Sequence, residues 1–238
     1  MNENQRNRLE RLGFEAHHAG GKSVFYRSSH PELKDLAFSD MTGPHTSPLR
    51  GRGQIRVIEP DLVVRTLMHG GLLRHVNKKK FLGPERSIRE IEISEYLLAN
   101  AVRTPRILGI ILEESGPLVE ISVISALVPG SLDLLTWLET PHPECPDVLM
   151  QAGRLMRQIH DLGVYHADLH VKNMLLDSET LLWILDLDKA HKFLSLPRFM
   201  KQMNLRRFIR SCRKWQKRGR IHLPENWQHH LLDGYTWV

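Results

Sequence analysis

One segment constrains this chain more than any other: His166-Ala167-Asp168-Leu169-His170-Val171-Lys172-Asn173, with Ile184-Leu185-Asp186-Leu187-Asp188 placing Asp186 thirteen residues beyond its Asn. Its polar positions fall between short apolar strands. Turns between strands would account for an Asp or an Asn, but not for all of them at this spacing. The residue types and intervals reproduce a phosphotransfer site: an aspartate, an Asn five residues on, and a later Asp for magnesium. Asp168 is expected within hydrogen-bond reach of an incoming hydroxyl. Asn173 and Asp186 are expected to hold the Mg²⁺ that neutralises the triphosphate of ATP.

A hydroxyl is a poor nucleophile at neutral pH, so a carboxylate at Asp168 would both orient it and take its proton late in transfer. Asp186 is preferred to Asp188 as the metal ligand because of its interval from Asn173; Asp188 is either a capping carboxylate or an outer contact of the metal site. His170 stands two residues after Asp168, where protein kinases carry a Lys that touches the transferring phosphate. It either donates to that phosphate or is a structural loop residue. His166 reads as scaffolding.

On the nucleotide side, Gly51 and Gly53 could bring backbone N–H groups close to phosphate, as could any plain hairpin turn. Arg65 closes the strand Leu62-Val63-Val64, at the place of the kinase Lys that meets the α- and β-phosphates. Glu90, opening a helix, is its expected partner, with Glu92 the competing choice.

Gln54 to Glu59 and Leu62 to Leu67 read as a hairpin around Pro60-Asp61, and Glu90 to Asn100 as a helix ended by Ala101 to Pro105. Ile107 to Leu112 and Leu118 to Leu127 read as paired strands. Beyond Val128-Pro129-Gly130 the pattern changes: Leu132 to Leu138 and Val148 to His160 have apolar residues at helical spacing, and Gly163 stops the second helix. The expectation is an α+β, two-lobed protein-kinase-like fold, with a β-rich N-lobe over 1–127 and a helical C-lobe over 128–238.

The length fits one large domain or two joined lobes, and 41% hydrophobic residues suffice for a core. The polar start, Met1 to Glu10, reads as no secretory signal, and no apolar run approaches the roughly 20 residues that cross a bilayer. Cytoplasmic placement follows as the expectation. Cys145 and Cys212 have no metal or redox spacing and read as free thiols, and His17-His18 and His229-His230 fit no ligand pattern.

The net charge of +6 is local. Ten Lys or Arg and no carboxylate lie between Arg198 and Arg220, so the remainder carries 23 cations against 27 acids, or −4. Such a segment implies an anionic partner: phospholipid headgroups, a phosphorylated glycolipid or nucleic acid. Within it Leu196, Phe199, Met203, Phe208, Cys212 and Trp215 recur at near-helical intervals, as in a segment that lies on an anionic surface or packs onto the helical lobe. Stacking aromatics are too few for nucleic acid to be the expected partner.

Gly51-Arg52-Gly53, the strand ending in Arg65 with Gly70-Gly71-Leu72-Leu73 after it, Arg89-Glu90 leading to Thr104-Pro105, and Leu155 to Leu176 together resemble the lipopolysaccharide core kinases, the group of the 3-deoxy-D-manno-octulosonic acid (Kdo) and heptose kinases. The similarity covers roughly residues 50 to 215. It implies ATP-dependent phosphorylation of a Kdo hydroxyl in a Kdo-lipid A type glycolipid, by a protein peripheral on the cytoplasmic face of the inner membrane. A heptose kinase, a kinase of the same fold acting on a small molecule or protein, and a catalytically silent binding module are the competing classes. Retention of Asp168, Asn173 and Asp186 together argues against silence.

Overall fold

The computed structural model describes residues 1–36, 38, 55–58, 60–68 and 80–236. The chain divides into two compact units, Met1–Glu92 with Arg106–Leu127, and Ile93–Pro105 with Val128–Val238. The fold is α+β, and every strand pairing among the described residues is antiparallel.

The first unit contains α1 (Glu3–Arg11), β1 (Phe14–Ala19), β2 (Lys22–Arg27), α2 (Leu33–Leu36), β3 (Ile55–Ile58), β4 (Leu62–Thr66), β5 (Lys80–Phe81), the start of α3 (Glu85–Ala99), β6 (Ile107–Ser115) and β7 (Leu118–Ala126). The strands form one sheet in the order β1-β2-β6-β7-β4-β3, with β5 also on β7. β6 is buried on both faces from Ile107 to Leu112, which explains the apolar run there. Ile107, Ile110 and Leu112 join one apolar cluster, Leu108 and Ile111 the other. That assignment breaks simple alternation because a bulge between Ile107 and Gly109 inserts a residue and flips the faces.

β3 and β4 form the hairpin expected around Pro60-Asp61, and β6 and β7 pair as expected. The helix expected from Glu90 begins earlier. α3 opens at Glu85, directly after Pro84, whose carbonyl accepts the Ile88 N–H, so Glu90 lies in its second turn. Ile88 and Ile91 already belong to its buried face, and the polar triplet Glu85-Arg86-Ser87 hides that start from a periodicity reading.

The second unit holds β8 (Leu132–Asp133), α4 (Leu134–Trp137), α5 (Cys145–Asp161), β9 (Val164–His166), β10 (Met174–Leu176), β11 (Leu182–Ile184), β12 (Ala190–Lys192), α6 (Arg198–Gln216) and α7 (Trp227–Thr236). Leu132 to Leu138 is therefore not one helix. Leu132 and Asp133 pair with β10, and the Asp133 carboxylate accepts the Thr136 N–H to cap a four-residue helix. In α5, Leu149, Ala152, Leu155, Met156 and Ile159 form the buried stripe, and Gly163 follows the helix end at φ 76°. Cys145 and Cys212 are buried free thiols, both pushed upward in pKa by burial, Cys145 to about 11.

α5 and α7 touch backbone to backbone. A Cβ on Gly153 would lie 2.1 Å from the Leu231 carbonyl oxygen, and one on Gly234 would lie 2.0 Å from that of Met150. Gly234→Ala should therefore cost about 3 kcal/mol by overpacking, read as a lower denaturation midpoint. An unchanged midpoint would mean the helices do not cross this closely.

The basic stripe of the sequence splits in space. Phe208 and Cys212 are buried, with Leu205, Ile209 and Trp215 packed beside them, while Phe199 and Met203 remain 62% and 46% exposed. No helix among the described residues is long and apolar enough to cross a membrane.

Candidate active site

In the second unit the loop after β9 is closed by four hydrogen bonds that form a circuit. Asn173 Nδ2 donates to the Asp168 carbonyl (3.0 Å), and the Leu185 N–H donates to the Asn173 carbonyl (2.9 Å). His166 Nε2–H donates to the Leu185 carbonyl (2.8 Å), and the Asp168 N–H donates back to His166 Nδ1 (3.2 Å). The circuit fixes His166 as the neutral Nε2–H tautomer, and its complete burial pushes its pKa down. It also brings Asp168, Asn173 and Asp186 together, because β10 and β11 place Leu185 across from Asn173 and Asp186 one residue beyond. Asp177 pins the β10–β11 turn by accepting from the Glu179 and Leu181 N–H groups (3.0 and 2.9 Å) and from Trp183 Nε1 (2.7 Å).

Asp186 has φ 59° and ψ 58°, the left-handed region, which among side-chain-bearing residues Asn and Asp tolerate best. Such a conformation costs of order 1–3 kcal/mol and is held here by the strand before it and the 3₁₀ turn Leu187–Lys189 after it. Asp188, inside that turn, is buried. With Asn173 Nδ2 committed to the Asp168 carbonyl, its amide oxygen is the atom it can offer a cation. One carboxylate and one amide oxygen are hard donors, the set suited to a Mg²⁺ that keeps waters and takes substrate phosphates as its other ligands. Among the described residues no group of three His, Cys, Asp or Glu could hold a metal by itself.

The Asp168 carboxylate faces three cationic or ionisable groups. Lys189 Nζ lies 3.3 Å from Oδ2, while His170 Nε2 and Arg207 lie 3.8 and 3.9 Å from Oδ1. These distances exceed the 2.7–2.9 Å of a tight charge-assisted pair, so the carboxylate is surrounded without being locked. The sequence does not single out Lys189 or Arg207, because neither falls in the spacing of the loop.

Asn204 escapes a sequence reading as well. Fully buried on α6, it accepts the His166 N–H (3.3 Å) and donates to the His166 carbonyl (2.8 Å), so α6 clamps the strand that leads into Asp168. Its Oδ1 also takes the Nε2–H of His160 (3.1 Å), whose Nδ1 accepts from the Tyr235 hydroxyl (2.8 Å). The available signal is a polar residue four positions before Phe208 on an otherwise apolar stripe.

Burial lowers the His160 pKa from 6.5 to about 4. A histidine with a folded pKa below its unfolded value stabilises fully above the unfolded pKa and loses that contribution as pH falls towards the folded one. Between pH 7 and pH 5 the unfolding free energy should thus fall by about 2 kcal/mol from His160 alone, with His166 adding in the same direction. Urea titrations at the two pH values check this. His160→Gln should be less stable at pH 7 yet lose less on acidification; equal losses would remove His160 from the effect.

In the first unit Arg65, next to last in β4 and paired with Ile55 of β3 and Val123 of β7, donates to Glu90 Oε1 at 2.5 Å. Glu92 is engaged elsewhere: Arg8 forks onto it at 2.7 Å through both Nε and an Nη, and also reaches Glu85. Of the two carboxylates considered for Arg65, Glu90 is the one it meets. Gly51 and Gly53 lie outside the described residues.

Sequence comparison places the chain among known proteins. The model of the lipopolysaccharide kinase (Kdo/WaaP) family matches residues 45–235. A 3-deoxy-D-manno-octulosonic acid kinase of Vibrio parahaemolyticus is 30% identical, over 80% of this chain and 82% of its own length. That of Mannheimia succiniciproducens is also 30% identical, over 78% and 82%, and that of Photobacterium profundum 28% identical, over 84% and 87%. A match over that much of the chain, joined to the closed Asp168–Asn173–Leu185–His166 circuit, makes this protein a member of the lipopolysaccharide kinase (Kdo/WaaP) family, and an enzyme of the kinase class.

Proposed function

We propose that the protein transfers the γ-phosphoryl group of ATP to a hydroxyl of Kdo in a Kdo-lipid A type precursor of the lipopolysaccharide inner core. The observation that carries this is the circuit around Asp168, in a chain whose relatives over most of their length are named Kdo kinases. In this reading the unit of Met1–Glu92 with Arg106–Leu127 is the β-rich lobe of a protein-kinase-like fold, and that of Ile93–Pro105 with Val128–Val238 is the helical lobe.

Asp168 orients the acceptor hydroxyl and takes its proton as the bond to phosphorus forms. Its backbone is fixed on both sides, by Asn173 at the carbonyl and His166 at the N–H, so little reorganisation is needed during transfer. Bound Mg²⁺ would supply charge neutralisation across the phosphates, and Asn173 and Asp186 are the residues to hold it. His170 faces the same carboxylate and can donate to the transferring phosphate. Arg65, held by Glu90, serves the α- and β-phosphates, with Gly51 and Gly53 as backbone donors.

Arg65→Lys discriminates a fork from a point charge. Removing one charge-assisted hydrogen bond corresponds to about 1.5 kcal/mol, so the KM for ATP should rise about tenfold with that of the acceptor little changed. An ATP constant unaltered in both Arg65→Lys and Arg65→Ala would move the phosphate-binding role elsewhere.

For the membrane, Phe199, Met203, Arg206 and Arg210 lie on one face of α6 at helical spacing, two exposed apolar residues followed by two cations. That face suits the anionic cytoplasmic leaflet of the inner membrane, each nearby cation adding up to about 1 kcal/mol. The function is tested by comparing kcat/KM for a Kdo-lipid A precursor with that for a heptose-bearing core acceptor. Preference for the Kdo acceptor is expected, and preference for heptose would make the protein a heptose kinase.

A further inference from the structure

The cationic side of α6 also runs along the Asp168 loop. Arg207 faces Asp168, Ser211 Oγ accepts the Val171 N–H at 3.4 Å, and Lys214 follows at the next turn. These positions, i, i+4 and i+7, share one side of the helix, on which Met203 lies one turn before Arg207. Past the helix end the charge continues. Lys172 from the loop, Lys214, Arg218 and Arg220 all gather on the Trp215 ring, at 4.8, 5.4, 5.4 and 5.8 Å from its centroid.

Like charges brought together repel, and a single ring offsets only part of that at about 0.5–1 kcal/mol for each exposed cation. Arg220 has Glu139, but among the described residues Lys172, Lys214 and Arg218 have no carboxylate partner. An anion arriving there would relieve the repulsion. Lys189 and Arg207 are similarly placed at the near end, 41% and 44% exposed beside the carboxylate that meets the acceptor.

The geometry points to a linear acceptor-binding track with two anion subsites. Lys189 and Arg207 take the carboxylate of the sugar being phosphorylated; Lys172, Lys214 and Arg218 take a second anionic group, a phosphate, on the same glycolipid. Arg207 and Lys214 are seven helical residues apart, so the subsites lie about 10 Å from each other. This deepens the proposed function and rests on it: the acceptor is read as a polyanion, and the basic segment is divided between leaflet and substrate instead of serving one of them.

The test compares steady-state transfer to a bisphosphorylated Kdo-lipid A precursor in neutral detergent micelles with transfer to free Kdo, which has the carboxylate alone. Neutral micelles remove the anionic bilayer as the source of attraction. Lys214→Gln/Arg218→Gln should raise the KM for the bisphosphorylated acceptor at least tenfold more than the KM for free Kdo. Arg207→Gln should raise both. An equal effect of the double variant on both acceptors overturns the second subsite, and an effect seen only with anionic vesicles assigns these cations to the membrane. If wild-type protein phosphorylates neither acceptor, the Kdo reading fails by itself. Calorimetric binding of bisphosphorylated lipid A in the same micelles then decides the track, with a tenfold weakening in the double variant expected and equal binding overturning it.

Discussion

Asp168→Asn should lower kcat by about 10²–10⁴-fold, the share that a positioned general base contributes, with the dissociation constant of Mg-ATP nearly unchanged. The substitution keeps the side chain's size, and the circuit that fixes this residue runs through its backbone N–H and carbonyl, so the loop should keep its shape. What disappears is the proton acceptor and the charge that Lys189 and Arg207 face. Single-turnover transfer and nucleotide binding measured on the same preparation separate the two. Activity within about threefold of wild type at saturating substrate would remove Asp168 from the role.

At Asp186 Asn is preferred to Ala, because Ala would strain the left-handed backbone as well as remove the ligand. Asp186→Asn keeps the conformation and removes the charge. It should cost about 10²-fold in turnover and shift the magnesium dependence to higher concentration, since a carboxylate that would hold the Mg²⁺ neutralising the phosphates is lost. Asp188→Asn should shift that dependence less. A magnesium titration showing the reverse order would transfer the ligand role to Asp188.

Legibility in the sequence follows from whether the interacting segments are local. The hairpins β3–β4 and β6–β7 declare themselves through β-rich runs around short turns, and α5 through its apolar stripe. The proximity of Asp168, Asn173 and Asp186 is legible because two short strands and one turn create it. Arg207 and Asn204 are not, since their importance comes from α6 returning onto β9, which joins residues 38 apart in the case of Asn204 and His166, and Lys189 is not, since it depends on β12 pairing with β9, which sets Ala190 opposite His166. The start of α3 is hidden for a smaller reason: a polar first turn has no periodicity to read. In α6 the near-helical stripe is real as a helix but mixes two faces, because Phe199 and Met203 are exposed where Phe208 and Cys212 are buried.

Phosphoryl transfer from ATP to Kdo can be read straight from the acceptor, by mass spectrometry after incubation with the purified protein. With Mg-ATP and a Kdo-lipid A precursor, one added phosphate is expected, located on the Kdo residue by fragmentation and absent when Asp168→Asn replaces the wild type. A phosphate on lipid A or on the protein, or an unmodified acceptor beside consumed ATP, would contradict the assignment.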